Sequence, residues 1–387
     1  VAHGCRAGLE SAARADVYRD RILRGTGVGG YYATRKLGAF GLELGAVACF
    51  FTQPWRTVSA SLSPADQSWL FNAAAVRLRG LGRLSEAIEP MRTVLKLDVA
   101  QKEWEFAAVS AGTLSELELT LGEVSAALAD AEQSVTHADR SQNAFQQMGK
   151  RTTYADALHQ AGRPHESLRA FREAEDLQMK RQPAYPQLYA LAGFRFCDLL
   201  LGAAERAAWR VTISHARLGE VAGFQRECKG IFERATQSLE WGTGNLGMLD
   251  EALDGLTLAR TGFYDLIGPA EEPGGLRRSA RLKTTECDAA VDGLRQAGTS
   301  HHLPRGLLTR AWLRFMRGDA DGCRADLDEA WEIAEPGPMR LHMADILLYR
   351  ARLFRDKGAL AEARKLIEQC GYWRRKEELE DAEAALT

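Results

Sequence analysis

The chain has 387 residues, more than a single hydrophobic core usually serves, which predicts either several domains or one elongated repeat array. Lysine and arginine total 50 against 52 aspartate and glutamate, so no overall field draws it to nucleic acid or to an anionic membrane, and any charged surface must be local. The seven cysteines, Cys5, Cys49, Cys197, Cys228, Cys287, Cys323 and Cys370, are odd in number and widely spaced without a C-x-x-C pair, which argues against a disulfide framework and for a reducing, cytoplasmic setting.

In chain order, residues 1–62 read as an N-terminal helical lead-in. A helix is expected over residues 2–15, a second over 17–23, a turn from Gly25 to Gly30, and an apolar helix over residues 37–51. That last stretch is 15 residues long and contains Glu43, too short and too polar to span a bilayer. No signal peptide opens the chain, and Val1 stands first where a complete reading frame has Met, as expected of a segment cut from a longer protein. Ser63 as N-cap, Pro64 at the first helical position and Asp66 three residues on mark the next helix start.

From there a glycine that ends one helix and precedes another recurs every 40 residues, at Gly82, Gly122, Gly162 and Gly202, and the spacing returns between Gly318 and Gly358. Seven residues before these glycines stand Ala75, Ser115, Ala155, Arg195, Ala311 and Ala351. Five after them stand Ala87, Ala127, Ser167, Ala207, Cys323 and Ala363. All but Arg195 are small, as helices at short packing distance require. Nine residues past the glycines come the apolar Met91, Ala131, Phe171, Val211, Leu327 and Ile367, and the segment Leu84 to Leu97 carries its apolar side chains on one helical face. Strand-like alternation is essentially absent.

This pattern predicts an all-α solenoid of antiparallel helix pairs with a period of about 40 residues. Regular repeats occupy residues 63–240, as pairs at 64–101, 102–141, 142–181 and 184–240. Residues 241–304 form an irregular pair spanning Met248 to Ala297 around the loop GPAEEPGG, and residues 305–387 hold C-terminal repeats and a capping helix.

The phrases LGRLSEAIEPMRTVLKL, LGEVSAALADAEQSV, AGRPHESLRAFREAE and RGDADGCRADLDEAWEIA resemble tetratricopeptide repeats, with a period of 40 in place of the usual ~34. Together with SPADQSWLFNAAAVRLRGLGRLSEAIEPM, RTTYADALHQAGR, LPRGLLTRA and GYWRRKEELE they make the whole chain similar to the C-terminal sensor regions of bacterial NACHT/STAND-type signal-transduction NTPases. The resemblance implies a sensor or scaffold that recognises a trigger or holds an upstream nucleotide switch inactive.

No chemical motif stands out. Gly25 to Gly30 matches G-x-G-x-x-G, but it follows a charged helical stretch rather than a strand, so it reads as a turn and not a dinucleotide site. There is no Walker motif and no H-E-x-x-H, and the adjacent His301 and His302 before Pro304 suit a loop. Cys323 and Cys370 fall in small-residue packing slots and read as core, as do most of the tryptophans. The basic runs Arg277, Arg278, Arg281, Lys283 and Arg374, Arg375, Lys376 read as solvated faces. No catalytic, cofactor-binding or metal-ligating residue is assigned, no cofactor is expected, and the chain reads as a non-enzyme.

In solenoids of this kind the first helix of each pair lines the concave groove. Polar residues there that packing does not require are Asn72, Arg79, Glu116, Thr152, Asp156, His159, Arg195, Asp198, Arg305 and Arg352, taken as a partner-binding groove. Arg195, in a slot otherwise small, either reaches solvent or pairs with Asp198 or Asp156. The expected function is that of a protein- or peptide-binding module, the sensor or regulatory scaffold of a larger cytoplasmic signalling or defence NTPase. Its partners would be a protein or peptide in the groove and a nucleotide-switch domain upstream in the same polypeptide, with no nucleic acid and no membrane. Alternatives are a hydrolase or protease-type enzyme with its site in the irregular middle, and an oligomerisation scaffold.

Overall fold

Each repeat needs a capped start, a small-residue seam and a left-handed stop, and the computed structural model, which describes residues 1–26, 30–214, 225–242, 246–267 and 275–387, shows how far the sequence supplies them. The N-terminal part holds α1 (Ala2–Arg6), α2 (Glu10–Ala12), a π-helical stretch (Ala13–Ile22), α3 (Tyr32–Arg35) and α4 (Phe40–Ala48). The single helix expected over residues 2–15 is therefore broken. Gly8, at φ +73°, separates α1 from α2. A small antiparallel hairpin, β1 (Phe51–Gln53) with β2 (Thr57–Val58), follows where no strand was expected. Glu43 in α4 is buried because the Tyr18 hydroxyl (2.8 Å) and Arg77 Nε (2.9 Å) both donate to it.

Seven antiparallel pairs come next. They are α5 (Pro64–Gly80) with α6 (Leu84–Ala100), α7 (Trp104–Leu121) with α8 (Val124–Ser141), α9 (Ala144–Gln160) with α10 (Pro164–Arg181), and α11 (Ala190–Ser214) with α12 (Gln225–Gly242). Then come α13 (Met248–Ile267) with α14 (Gly275–Gln296), α15 (Leu303–Met316) with α16 (Ala320–Ala334), and α17 (Arg340–Phe354) with α18 (Lys357–Cys370). A 3-10 turn (Trp373–Arg375) and α19 (Lys376–Leu386) close the chain. Neighbouring helices pack in sequence order, which makes this an all-α solenoid, and the irregular middle forms helix pairs like the others. Among the described residues no helix is long and apolar enough to cross a membrane.

Ser63 caps α5 as expected, accepting the Asp66 N–H at 3.2 Å. Four of the repeat glycines stop their helices identically. Gly82, Gly122, Gly162 and Gly318 have φ of +75°, +85°, +73° and +83°. The residue after each donates its N–H back across the turn, as Arg83 does to Leu78 O and Asp319 to Arg314 O, both at 2.9 Å. The seam is equally regular, since Ala75, Ser115, Ala155, Ala311 and Ala351 and their counterparts Ala87, Ala127, Ser167, Cys323 and Ala363 are all buried. In one repeat the Ser167 hydroxyl donates across that seam to Ala155 O at 2.7 Å.

Two glycines do not do what their spacing predicts. Gly202 lies inside α11, which runs on through the helix-forming Ala203 to Ala208. Gly358 lies in the first turn of α18, whose start is set by Asp356 capping the Ala359 N–H at 2.9 Å, and Arg355 at φ +55° makes the turn instead.

The array also winds back on itself, so that α7 packs on α17, α9 on the 3-10 turn, and α11 on α19. The turn glycines are points of this contact. A Cβ added to Gly122 would lie 2.7 Å from Arg340 Cβ and Cys370 Sγ, and one on Gly162 would lie 2.6 Å from Trp373 Cβ. The Ser300 N–H donates to Gly80 O at 2.7 Å. Inside the C-terminal half, Trp209 of α11 stacks on Trp312 of α15 at 3.6 Å, with Tyr349 of α17 edge-on to Trp209, which fills the superhelix interior with rings.

Gly122→Ala should therefore lower stability by at least about 1–2 kcal/mol, the cost of a left-handed alanine, with the clash in addition. Gly202→Ala, whose Cβ meets nothing within 4 Å, should instead stabilise by up to about 1 kcal/mol. Urea unfolding midpoints of the two variants, read side by side, check both signs.

Candidate functional site

Because the first helix of each pair faces the superhelix axis and successive turns meet there, the axis is a narrow polar cavity rather than an open groove. It offers about 90 Å³ of room for the centres of water molecules. Its lining comes from the C-terminal ends of α5, α7 and α9, from α11 and α13, from the N-terminal ends of α15 and α17, and from the capping segment. Six guanidinium groups face it, those of Arg79, Arg195, Arg260, Arg305, Arg374 and Arg375. Five carboxylates oppose them, those of Glu116, Asp156, Asp198, Glu205 and Asp345.

These charges form one connected network. Arg79 pairs with Glu116, which holds Arg195 at 2.8 Å, and Arg195 reaches Asp156 at 3.4 Å. Gln160 donates to Asp156 at 2.7 Å and accepts from Arg374 at 3.4 Å. Arg374 in turn grips Asp198 at 2.5 Å, and Arg260 bridges Asp198 and Glu205 at 2.8 Å each. Arg375 ties Glu205 (3.1 Å) to Asp345 (2.8 Å) and Glu378 (2.6 Å). Burial alone would raise the carboxyl groups of Glu116 and Asp198, but the facing arginines outweigh it and hold both well below the usual carboxylate range. Arg305 is different. It reaches Asp198 at 3.6 Å, a carboxylate already engaged twice, and at 31 % its side chain is the most exposed of the lining arginines.

Lys150 of α9 adds another positive charge beside the network. It lies across Gly112 of α7, where an added Cβ would meet Lys150 Cδ at 3.0 Å. Burial lowers its pKa, against the pull of Glu116. Three histidines complete the wall. His342 Nε2 donates to His301 O at 2.8 Å, and the rings of His301 and His302 lie 4.3 Å apart. Burial pushes the pKa of His301 and His302 well below the ordinary value, helped by Arg79 and Arg305, and brings His342 down to about 4.

Of the residues singled out in the sequence, Arg79, Glu116, Asp156, Arg195, Asp198 and Arg305 line this cavity. Arg195 pairs with Asp156, one of its two expected acids, and with Glu116 in place of Asp198. The others lie elsewhere. Thr152 is buried and donates to Gly149 O within its own helix (2.7 Å). Asn72 is half-buried on α5. His159 is buried beside Arg374 and Asp198, and burial leaves it neutral. Arg352 is locked under the cap, donating to Glu378 Oε2 at 2.9 Å with its guanidinium 4.6 Å from the centre of the Trp209 ring.

One reading is corrected. Arg374 and Arg375 are buried ion-pair partners and not a solvated face, because the capping segment folds into the axis. His301 and His302 do sit in a turn, but one buried against the cavity. Glu205, Arg260 and Asp345 were missed, since none occupies a row set by the glycine spacing. Gly27 to Gly29 of the glycine-rich turn, the loop 268–274 and the side chains of Arg277, Arg278, Arg281 and Lys283 lie outside the described residues. Cys323 and Cys370 are buried, as expected.

The fold and cavity define a class, an all-α repeat solenoid wound until successive turns meet around a charged axis. No protein-family model and no curated protein matches the chain. Among solved structures it is similar to a "circular tandem repeat protein with novel repeat topology and enhanced subunit contact surfaces". The two are 16 % identical with a TM-score of 0.27, over 100 % of this chain and 93 % of that one.

Asp198→Asn would leave Arg260 and Arg374 without their shared carboxylate, a loss of about 3–5 kcal/mol. Glu166→Gln, in the exposed Arg163–Glu166 pair, should leave the urea midpoint unchanged. His342 gives a pH signature. Its folded pKa of about 4 lies below the ordinary imidazole value of 6.5, so the native state binds fewer protons in that window and loses stability as pH falls through it, by about 1.4 kcal/mol per unit at most. His342→Gln keeps a donor for His301 O and removes the His342 share of that slope, leaving the shares of His159, His301 and His302. A variant whose stability falls with pH as steeply as the wild type would contradict the assignment.

Proposed function

We propose that this chain is a protein-recognition module whose concave cavity takes an acidic side chain or terminus of a partner, as the sensor part of a larger switch protein. The observation that carries the reading is the surplus of guanidinium over carboxylate around a cavity built by the first helix of every pair, with Arg305 open to water at its mouth. Packing requires none of these charges, and burying them costs several kcal/mol per ion before pairing. The tetratricopeptide-like motifs and the likeness to NACHT/STAND sensor regions support a regulatory role in a polypeptide that also carries a nucleotide switch.

This reading differs from a peptide threaded along the whole groove. α7 meets α17, α9 meets the 3-10 turn and α11 meets α19, so the space on the axis is a closed-off cavity and recognition is local to the side where Arg305 is exposed. A sensor gains from that geometry, because anything bound at the axis touches both the N-terminal and C-terminal pairs and biases how closely they meet.

The test is selection of a random peptide display library on the full chain. Acidic peptides should be enriched at low salt, and the enrichment should shrink with salt. It should fall tenfold or more on Arg305→Glu, in protein shown folded by circular dichroism. Equal enrichment by the two proteins would sink the proposal.

A further inference from the structure

One wall of the cavity gathers buried polar atoms whose hydrogen-bonding capacity is unmet. His301, His302 and His342 are 8 %, 9 % and 6 % exposed, all three line the cavity, and the Nδ1 atom of each meets no hydrogen-bond partner among the described residues. Such buried orphans are rare and call for an explanation. The same wall receives the N-terminal ends of α15, where His302 is the N-cap, and of α17, where His342 lies in the first turn. Helix N-termini add partial positive charge and unpaired N–H groups. Arg79 contributes a further orphan, its buried Nε.

We propose that His301, His302, His342, Arg79 and Arg305 bind a small tetrahedral oxyanion of phosphate type, either free in solution or carried on a phosphorylated side chain of a partner. This rests on reading the cavity as the recognition surface. The size fits, since about 90 Å³ of room for water centres is several times the ~10–15 Å³ that one water needs. The charge also fits, because a guanidinium fork matches phosphate geometry, the surplus of one guanidinium answers one charge of a dianion, and a proton taken up by the histidine wall answers the other.

The histidines make binding depend on protons. His342 Nε2–H donates to His301 O, so its Nδ1 becomes a donor only on protonation. Burial and Arg305 oppose that proton on His342 while Asp345 favours it; on His301 and His302 burial, Arg79, Arg305 and the neighbouring imidazoles oppose one, joined by Arg195 at His302, while Glu116 favours one on His301. A bound dianion reverses the balance and draws at least one proton into the wall.

Calorimetric titration of the full chain with sulfate, a dianion throughout pH 6–8, and with inorganic phosphate tests this at constant ionic strength against chloride. The expected result is saturable binding that weakens tenfold or more in Arg305→Gln. Sulfate binding should tighten as pH falls, with proton uptake seen as buffer-dependent heat, and His342→Gln should reduce that uptake. No saturable binding of either anion at millimolar concentration by folded protein would overturn the proposal, as would an Arg305→Gln variant of unchanged affinity. Competition by a phosphoserine peptide and not by its serine form identifies a partner-borne phosphate, and competition by neither identifies a free one. If acidic peptides still depend on Arg305 while neither anion binds, the oxyanion assignment fails and the recognition module stands. If both are lost, both fail.

Discussion

Asp198 is the charge on which the closed arrangement depends. It stands on α11, midway along the chain, and is held by Arg260 from the following pair and by Arg374 from the capping segment, with Arg305 at the edge. A carboxylate this deep is tolerable only if its partners arrive in the right place, because taking ions out of water costs several kcal/mol each. The network therefore specifies where the C-terminal cap sits against the N-terminal pairs. Apolar contact alone would leave that position looser.

Short-range rules made much of the fold legible in the sequence. A glycine followed by a small residue five positions on writes a helix stop and a seam, and at Gly82, Gly122, Gly162 and Gly318 both are realised. Gly202 and Gly358 share the spacing but not the conformation. A helix can run through a glycine among good helix formers, and a nearby capping aspartate can move the start by three residues, to Lys357 where the spacing gives 360. The break in the N-terminal helix is local, at Gly8, while the hairpin after Phe50 sets Phe51 against Phe71 of α5, a contact that periodicity does not encode.

The site was legible only in part, for a related reason. Arg79, Glu116, Asp156, Arg195, Asp198 and Arg305 could be found because they project from the first helix of their pairs. That Arg374 and Arg375 complete the same network could not, since a basic run looks alike whether solvated or buried, and only the winding of the superhelix brings residues so distant in sequence to Asp198. Asn72, Thr152 and Arg352 show the converse, polar residues on the right helices that the axis does not use.

An open solenoid grows or shrinks by whole repeats with little penalty, because each unit touches only its neighbours. The contact between turns removes that freedom here. One extra helix pair inserted before α11 would carry the capping segment past the turn at Gly162 against which Trp373 packs, and one fewer would stop it short. The number of pairs between the turn at Gly162 and the segment around Trp373 is thus set by their contact, and the unfolding of these pairs should be one cooperative event where an open array can fray.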